Sequence, residues 1–173
     1  LLSTIFQQAW QFSSSKEIAK EDSDSFFTDV FKYYSAFVLL GCSALIMISP
    51  YLAKLILKGD FYQGWVYVPL LLLSATIGCF STFFGTFYTA VKNNVMAMVS
   101  TGIGAGVSIL TNLLLVPFIG AYGALVAGVA SYMVIAIIRM IDTKKHVSLK
   151  IDYPLFVLQF VIVFFQATFL TFN

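Results

Sequence analysis

Charge is scarce in this 173-residue chain: Asp, Glu, Lys and Arg make up 10 % of it, against about 25 % in an ordinary soluble domain. The formal net charge is only +2, and the basic residues are dispersed, which excludes the electrostatic footprint of a nucleic-acid-binding protein. There is a single histidine and there are two cysteines, so no Cys/His group with metal-ligand spacing can be assembled. The apolar stretches carry no Asp, Glu or His, which leaves no acid–base pair or activated nucleophile and argues against an enzyme. No resident cofactor is expected. Cys42 and Cys79 both fall inside apolar stretches, where a small hydrophobe is the expected role and a structural disulfide is not. A basic n-region followed by a cleavage site is also missing, and Leu1-Leu2 stands where an initiator methionine would. The sequence therefore reads as an internal or C-terminal piece of a longer chain.

What is abundant is hydrocarbon. Sixty per cent of residues are hydrophobic and the mean hydropathy is +0.91. These residues fall in blocks of roughly 20 to 28, long enough to cross about 30 Å of bilayer at 1.5 Å per residue. The expected fold is an all-α polytopic transmembrane bundle of about five complete spans, at 33–57, 65–91, 95–119, 121–141 and 153–172, preceded by the tail of an earlier helix in residues 1–10. Continuous runs such as Leu70-Leu71-Leu72-Leu73 lack the period-two alternation of a membrane β-barrel strand. Residues 11–32 form the one extended polar stretch, a connector in which Phe26, Phe27, Val30 and Phe31 give Ser23 to Lys32 the pattern of an interfacial amphipathic helix. Pro50 is expected to kink the first span. Trp65 and Tyr67 occupy an interfacial aromatic belt, and the second span is long enough to tilt. Only Gly120 and its neighbours are available to turn between the third and fourth spans, which must form a tight antiparallel hairpin.

Five crossings distribute the loops so that Lys16, Lys20, Lys32, Lys92, Arg139, Lys144, Lys145 and Lys150 share one face, leaving Lys54 and Lys58 on the other. By the positive-inside rule the first face is cytoplasmic. Asn173 then ends outside, and an odd number of spans implies at least one further helix beyond it. His146, beside Lys144 and Lys145, reads as a solvated surface histidine. Lys54, Lys58, Lys92 and Arg139 lie near block ends, where snorkelling to headgroups is the simplest role. Hydroxyls and amides supply the polarity inside the spans: Ser74, Thr76, Ser81, Thr82, Thr86, Tyr88 and Thr89 in the second, and Ser100, Thr101, Ser108, Thr111 and Asn112 in the third. They fit helix–helix hydrogen bonding, or the lining of a path for a sugar-bearing substrate. Gly102 and Gly106, with Gly104 between them, and the stripe Gly123, Ala127, Ser131 both predict close helix packing.

The segment Asn112 to Gly128, NLLLVPFIGAYGALVAG, with Ser131-Tyr132 and Arg139 after it, resembles the last helix hairpin of the C-terminal lobe in the multidrug/oligosaccharidyl-lipid/polysaccharide exporter superfamily. The run AWQFSSSKEIAKEDSDSFFTDVFKYYSAF, from Ala9 to Phe37, is similar to the cytoplasmic connector of its bacterial oligosaccharide flippases. The resemblance implies that residues 1–141 correspond to the later five helices of that lobe and 153–172 to a thirteenth helix of a fourteen-helix carrier. It further implies flipping of undecaprenyl-diphosphate-linked oligosaccharide across the bacterial cytoplasmic membrane by alternating access, with an N-terminal lobe of the same protein as partner. On that reading Lys92, Asn93, Asn94, Arg139 and Lys32 are candidate contacts to diphosphate or lipid headgroups, and Tyr88, Thr89 and Asn112 candidate contacts to sugar. A cation-coupled drug exporter of the same superfamily and a non-transporting membrane assembly protein are the alternatives.

Overall fold

The computed structural model describes residues 23–56, 59–90, 94–145 and 153–172. They form five α-helices: α1 (Ser23–Ile56), α2 (Val68–Ala90), α3 (Asn94–Ile119), α4 (Ala121–Thr143) and α5 (Tyr153–Phe172). A 3-10 helix, Gly59–Tyr67, leads into α2. No strand occurs among the described residues. Each helix, α2 together with the end of the 3-10 segment, is long and apolar enough to cross a bilayer. The chain is thus an all-α multi-pass membrane bundle. The expected helix tail at 1–10 and the first half of the polar connector lie outside the described residues.

The first helix differs from expectation. Ser23 to Lys32 is not a separate interfacial helix but the beginning of a single 34-residue α1. The reason is an unbroken buried stripe: Phe27, Phe31, Tyr34, Leu39, Cys42, Ile46, Ser49 and Ala53 recur at near-heptad spacing, and the phase does not break at Lys32. At 1.5 Å per residue α1 is about 51 Å long, longer than the hydrocarbon core. Its extra turns are held by packing. Phe31 lies 5.4 to 6.3 Å, centroid to centroid, from Phe80, Phe83 and Phe84 of α2 and Phe156 of α5, and Phe27 lies 4.9 Å from Phe87. Pro50 stays within the helix. It lacks the N–H that would reach the carbonyl of Ile46, and the Ser49 hydroxyl donates to that carbonyl instead, at 2.8 Å.

α2 starts at Val68, later than the expected 65, because Pro69 suits a first helical turn and terminates the regular bonding before it. Trp65 and Tyr67 therefore sit in the 3-10 segment. Tyr67 packs edge-on against Tyr122, with centroids 5.0 Å apart. α2 is the central helix, far more deeply buried than α3. It packs against α1 and α5 on one side through phenylalanines, and against α4 on the other, where Leu125, Val129, Met133 and Met140 pack on the core and Gly78 and Gly128 allow the closest approach. The third side of the first group closes with a reciprocal pair between α1 and α5. Ser43 Oγ donates to Gln166 Oε1 at 2.8 Å, and Gln166 Nε2 donates to the Ser43 carbonyl at 3.1 Å.

The tight hairpin of α3 and α4 is present. Gly120 turns the chain with φ +57°, a conformation that costs a residue with a Cβ about 1–2 kcal/mol. Its N–H donates to the Val116 carbonyl, and the Gly123 N–H to that of Gly120, both at 2.9 Å. The glycines that make the contact are not the expected pair. Gly102 and Gly106 have nothing within 4 Å of where a Cβ would stand. Gly104 lies against Ile135, and Gly123 lies against the backbone of Leu115 and Val116, 2.7 Å from a Cβ position. Ser131 Oγ adds a hydrogen bond to the Gly104 carbonyl at 2.8 Å. Residues 100 and 104 share the face that meets α4, and 102 and 106 lie on the other side, which faces outward. The stripe Gly123, Ala127, Ser131 does form the α4 side of the contact.

These contacts bring the N-terminal end of α1, α3 and α5 and the C-terminal end of α2 and α4 to one end of the bundle. Lys32, Arg139, Lys144 and Lys145 lie there, the basic end, whereas Lys54 lies at the other. At the opposite end an apolar crevice of about 330 Å³ opens between α4 (Tyr122, Val126, Val129) and α5 (Phe164, Thr168), with Leu70 and Leu73 of α2 as its floor.

Candidate functional site

The bundle's most concentrated polar chemistry lies where α2, α3 and α4 meet near the basic end. Its centre is Arg139, four residues before the end of α4. Rather than snorkelling outward, its side chain turns into the protein. Nε donates to Ser100 Oγ at 3.0 Å, Nη1 to the Ser81 carbonyl at 2.9 Å, and Nη2 to Thr101 Oγ1 at 2.9 Å, with a longer contact to the Ala97 carbonyl at 3.4 Å. One guanidinium thus binds α4 to both α2 and α3, which otherwise touch each other little. The planar fork with five donors is what permits this; a lysine ammonium, as a point charge, cannot span it.

The sequence makes the slot in two ways. Gly85 leaves open the surface of α2 beside Ser81: a Cβ there would stand 2.6 Å from Arg139 Nη1. On α3, Ser100 and Thr101 each donate to the Ala97 carbonyl, at 3.0 and 2.8 Å, which turns their lone pairs toward the guanidinium.

Around this clamp are three further polar residues, all buried. Tyr88 is fully buried, and its hydroxyl lies close to Asp142 and Arg139. Asp142 accepts from Lys145 Nζ at 2.8 Å. Thr143 is fully buried beside it in sequence, its hydroxyl unpaired among the described residues. A group of three or more His, Cys, Asp or Glu side chains does not occur among the described residues.

Of the residues singled out from sequence, Arg139 and Tyr88 come together here. Asn94 opens α3 and is exposed, and Lys32 is exposed on α1; both lie at the basic end. Asn112 does not join them. It lies 18 residues along α3 from Asn94, about 27 Å away along the helix axis, and its amide donates to the Ser108 carbonyl at 2.8 Å within its own helix. Lys92 and Asn93 lie outside the described residues, as does the side chain of Thr89. Gly85, Asp142 and Thr143 were missed. The one signal for Asp142 was its i, i+3 spacing from Arg139 and to Lys145, the separation at which side chains on one helix face meet. Most other hydroxyls within the spans are satisfied by their own helix: Thr82 donates to the Gly78 carbonyl and Thr86 to that of Phe83.

Comparison with protein-family models, with curated proteins and with solved structures gave no match to this chain.

Proposed function

We propose that this chain is part of a carrier lobe that moves undecaprenyl-diphosphate-linked oligosaccharide from the inner to the outer leaflet of the bacterial cytoplasmic membrane, as the resemblance in its hairpin and connector segments suggests. The observation that carries the reading is the distribution of charge. Among the described residues the basic groups other than Lys54 gather at one end of the bundle, and beyond that end, where Asp142 is a buried carboxylate, the interior of the spans offers hydroxyls and amides. An anionic diphosphate headgroup would meet cations at the inner boundary and uncharged polar groups beyond it. Because Arg139 commits its donors to Ser81, Ser100 and Thr101, headgroup contact falls to the exposed Lys32 and Asn94.

The test is translocation of a fluorescent lipid-linked oligosaccharide by the full-length protein in proteoliposomes. Lys32→Gln is expected to lower the rate about tenfold at unchanged protein abundance, the scale of losing one charge-assisted contact. Export of small cations without any movement of the lipid-linked sugar would overturn the proposal in favour of a cation-coupled exporter. A non-transporting assembly protein is the second reading, favoured by α3, whose outer face from Val95 to Phe118 is apolar and almost entirely uncovered. That reading requires no translocation of either cargo.

A further inference from the structure

The arrangement of α3 and α4 against α2 contains a polar fastening at one end and an open apolar crevice at the other. At the basic end Arg139 closes the junction through its bonds to Ser81, Ser100 and Thr101. α4 packs on the core through Leu125, Val129, Met133 and Met140, and near mid-membrane its closest approaches to α2 are at glycines. A Cβ on Gly128 would stand 3.2 Å from Ser74 Oγ, and one on Gly78 would stand 3.4 Å from the Tyr132 ring. At the far end the crevice of about 330 Å³ separates α4 from α5 above Leu70 and Leu73. The α3–α4 pair is itself tightly joined along its length, by Gly123 on Leu115 and Val116 and by Ser131 on the Gly104 carbonyl.

We propose that Arg139 is a reversible latch: on its release the α3–α4 hairpin pivots as one body about the Gly128/Ser74 and Gly78/Tyr132 contacts, opening the basic end and closing the crevice. The inference holds whatever the cargo is.

The hydrogen-bond inventory distinguishes a latch from a permanent rivet. A buried polar group left unpaired costs about 1–3 kcal/mol, which would make a rivet hard to undo. Here the acceptors on α3 and α2 are not stranded by release. Ser100 and Thr101 keep their own bonds to Ala97, and the Ser81 carbonyl lies within a continuous helix. Only the guanidinium needs new partners. Arg139 is four residues from the end of α4, about 6 Å along the axis, so its side chain can reach water and lipid phosphate without leaving the helix. Donors are exchanged one for one, the condition under which two states lie close in free energy. The crevice is open to the bilayer and lined by apolar side chains, so closing it displaces lipid chains and not packed protein.

Spin-label distances on the full-length protein in lipid nanodiscs, with Cys42 and Cys79 replaced by Ala, test this. Labels at Val95 and Val157 span the basic end, labels at Phe118 and Phe169 span the opposite end, and labels at Met98 and Ile137 stay within the hairpin. All six positions are exposed. Two variants release the latch differently: Arg139→Gln removes the fork, and Gly85→Ala displaces it without changing charge. Each is expected to add a population about 5 Å longer, one helical turn, at the basic end and a shorter one at the opposite end, with the hairpin distance unmoved. Unchanged distances in both variants would overturn the latch, as would lengthening at both ends or a broadened hairpin distance. Failure of both variants to insert and fold would overturn it too, since Arg139 would then be a permanent fastening.

Discussion

The hairpin contact makes the sharpest quantitative prediction. At Gly123 an added methyl would stand 2.7 Å from Leu115 C and Val116 N and 2.9 Å from Leu115 O, whereas ordinary contact begins near 3.4 Å. The obstacles are backbone atoms of α3, held by that helix's own hydrogen bonds, so no rotamer change relieves them. The helices must separate by about 0.7 Å, which also loosens Gly104 against Ile135 and lengthens the Ser131 bond to the Gly104 carbonyl. Overpacking costs about 1–3 kcal/mol, and a rigid obstacle places this case in the upper half, about 2–3 kcal/mol. That is roughly a 30- to 160-fold fall in the folding equilibrium constant. Gly102→Ala and Gly106→Ala meet nothing within 4 Å and are expected within about 0.5 kcal/mol of the parent. The assay is reversible unfolding in mixed mild and denaturing micelles, with the three variants side by side. A silent Gly123→Ala, or a Gly102→Ala and Gly106→Ala as costly as it, would refute the assigned helix face.

Two further tests use double-mutant cycles in the same assay. Ser49→Ala strips the Ile46 carbonyl of its donor and should cost about 1 kcal/mol, but almost nothing in a Pro50→Ala background, where the restored N–H takes over; equal costs in both would show that the hydroxyl does not compensate for the proline. For Ser43 and Gln166, a cycle of Ser43→Ala with Gln166→Leu should give a coupling of about 0.6 kcal/mol, and zero coupling would mean that the α1–α5 pair contributes nothing beyond packing.

Some of the fold could be read without coordinates because it is set along the chain. A bilayer demands about 20 apolar residues per crossing, so runs interrupted near Gly59, Lys92, Gly120 and Lys145 announce five helices. With no residues to spare between 119 and 121, the hairpin at Gly120 follows directly. The alternation of loops then places Lys32, Arg139, Lys144 and Lys145 at one end, as the structure does. The candidate site was legible only in part. Arg139 stood out as a charge near a span end, and Tyr88 as a polar group within one, but nothing in their spacing, 51 positions apart, linked them to each other or to Gly85.

The physical reason is the solvent. In water a helix declares its buried face by apolar periodicity. In lipid both faces are apolar, so the pattern carries little information about which face meets a neighbour. The sequence by itself therefore determined the helices, their order and which helix ends lie together. Only the tertiary structure decided that Gly104 and not Gly102 or Gly106 meets α4, that α1 runs unbroken past Lys32 and that Asn112 stands apart. The same packing turns Arg139 inward, because the gap at Gly85 and the hydroxyls of Ser100 and Thr101 offer its donors a complete set of partners there.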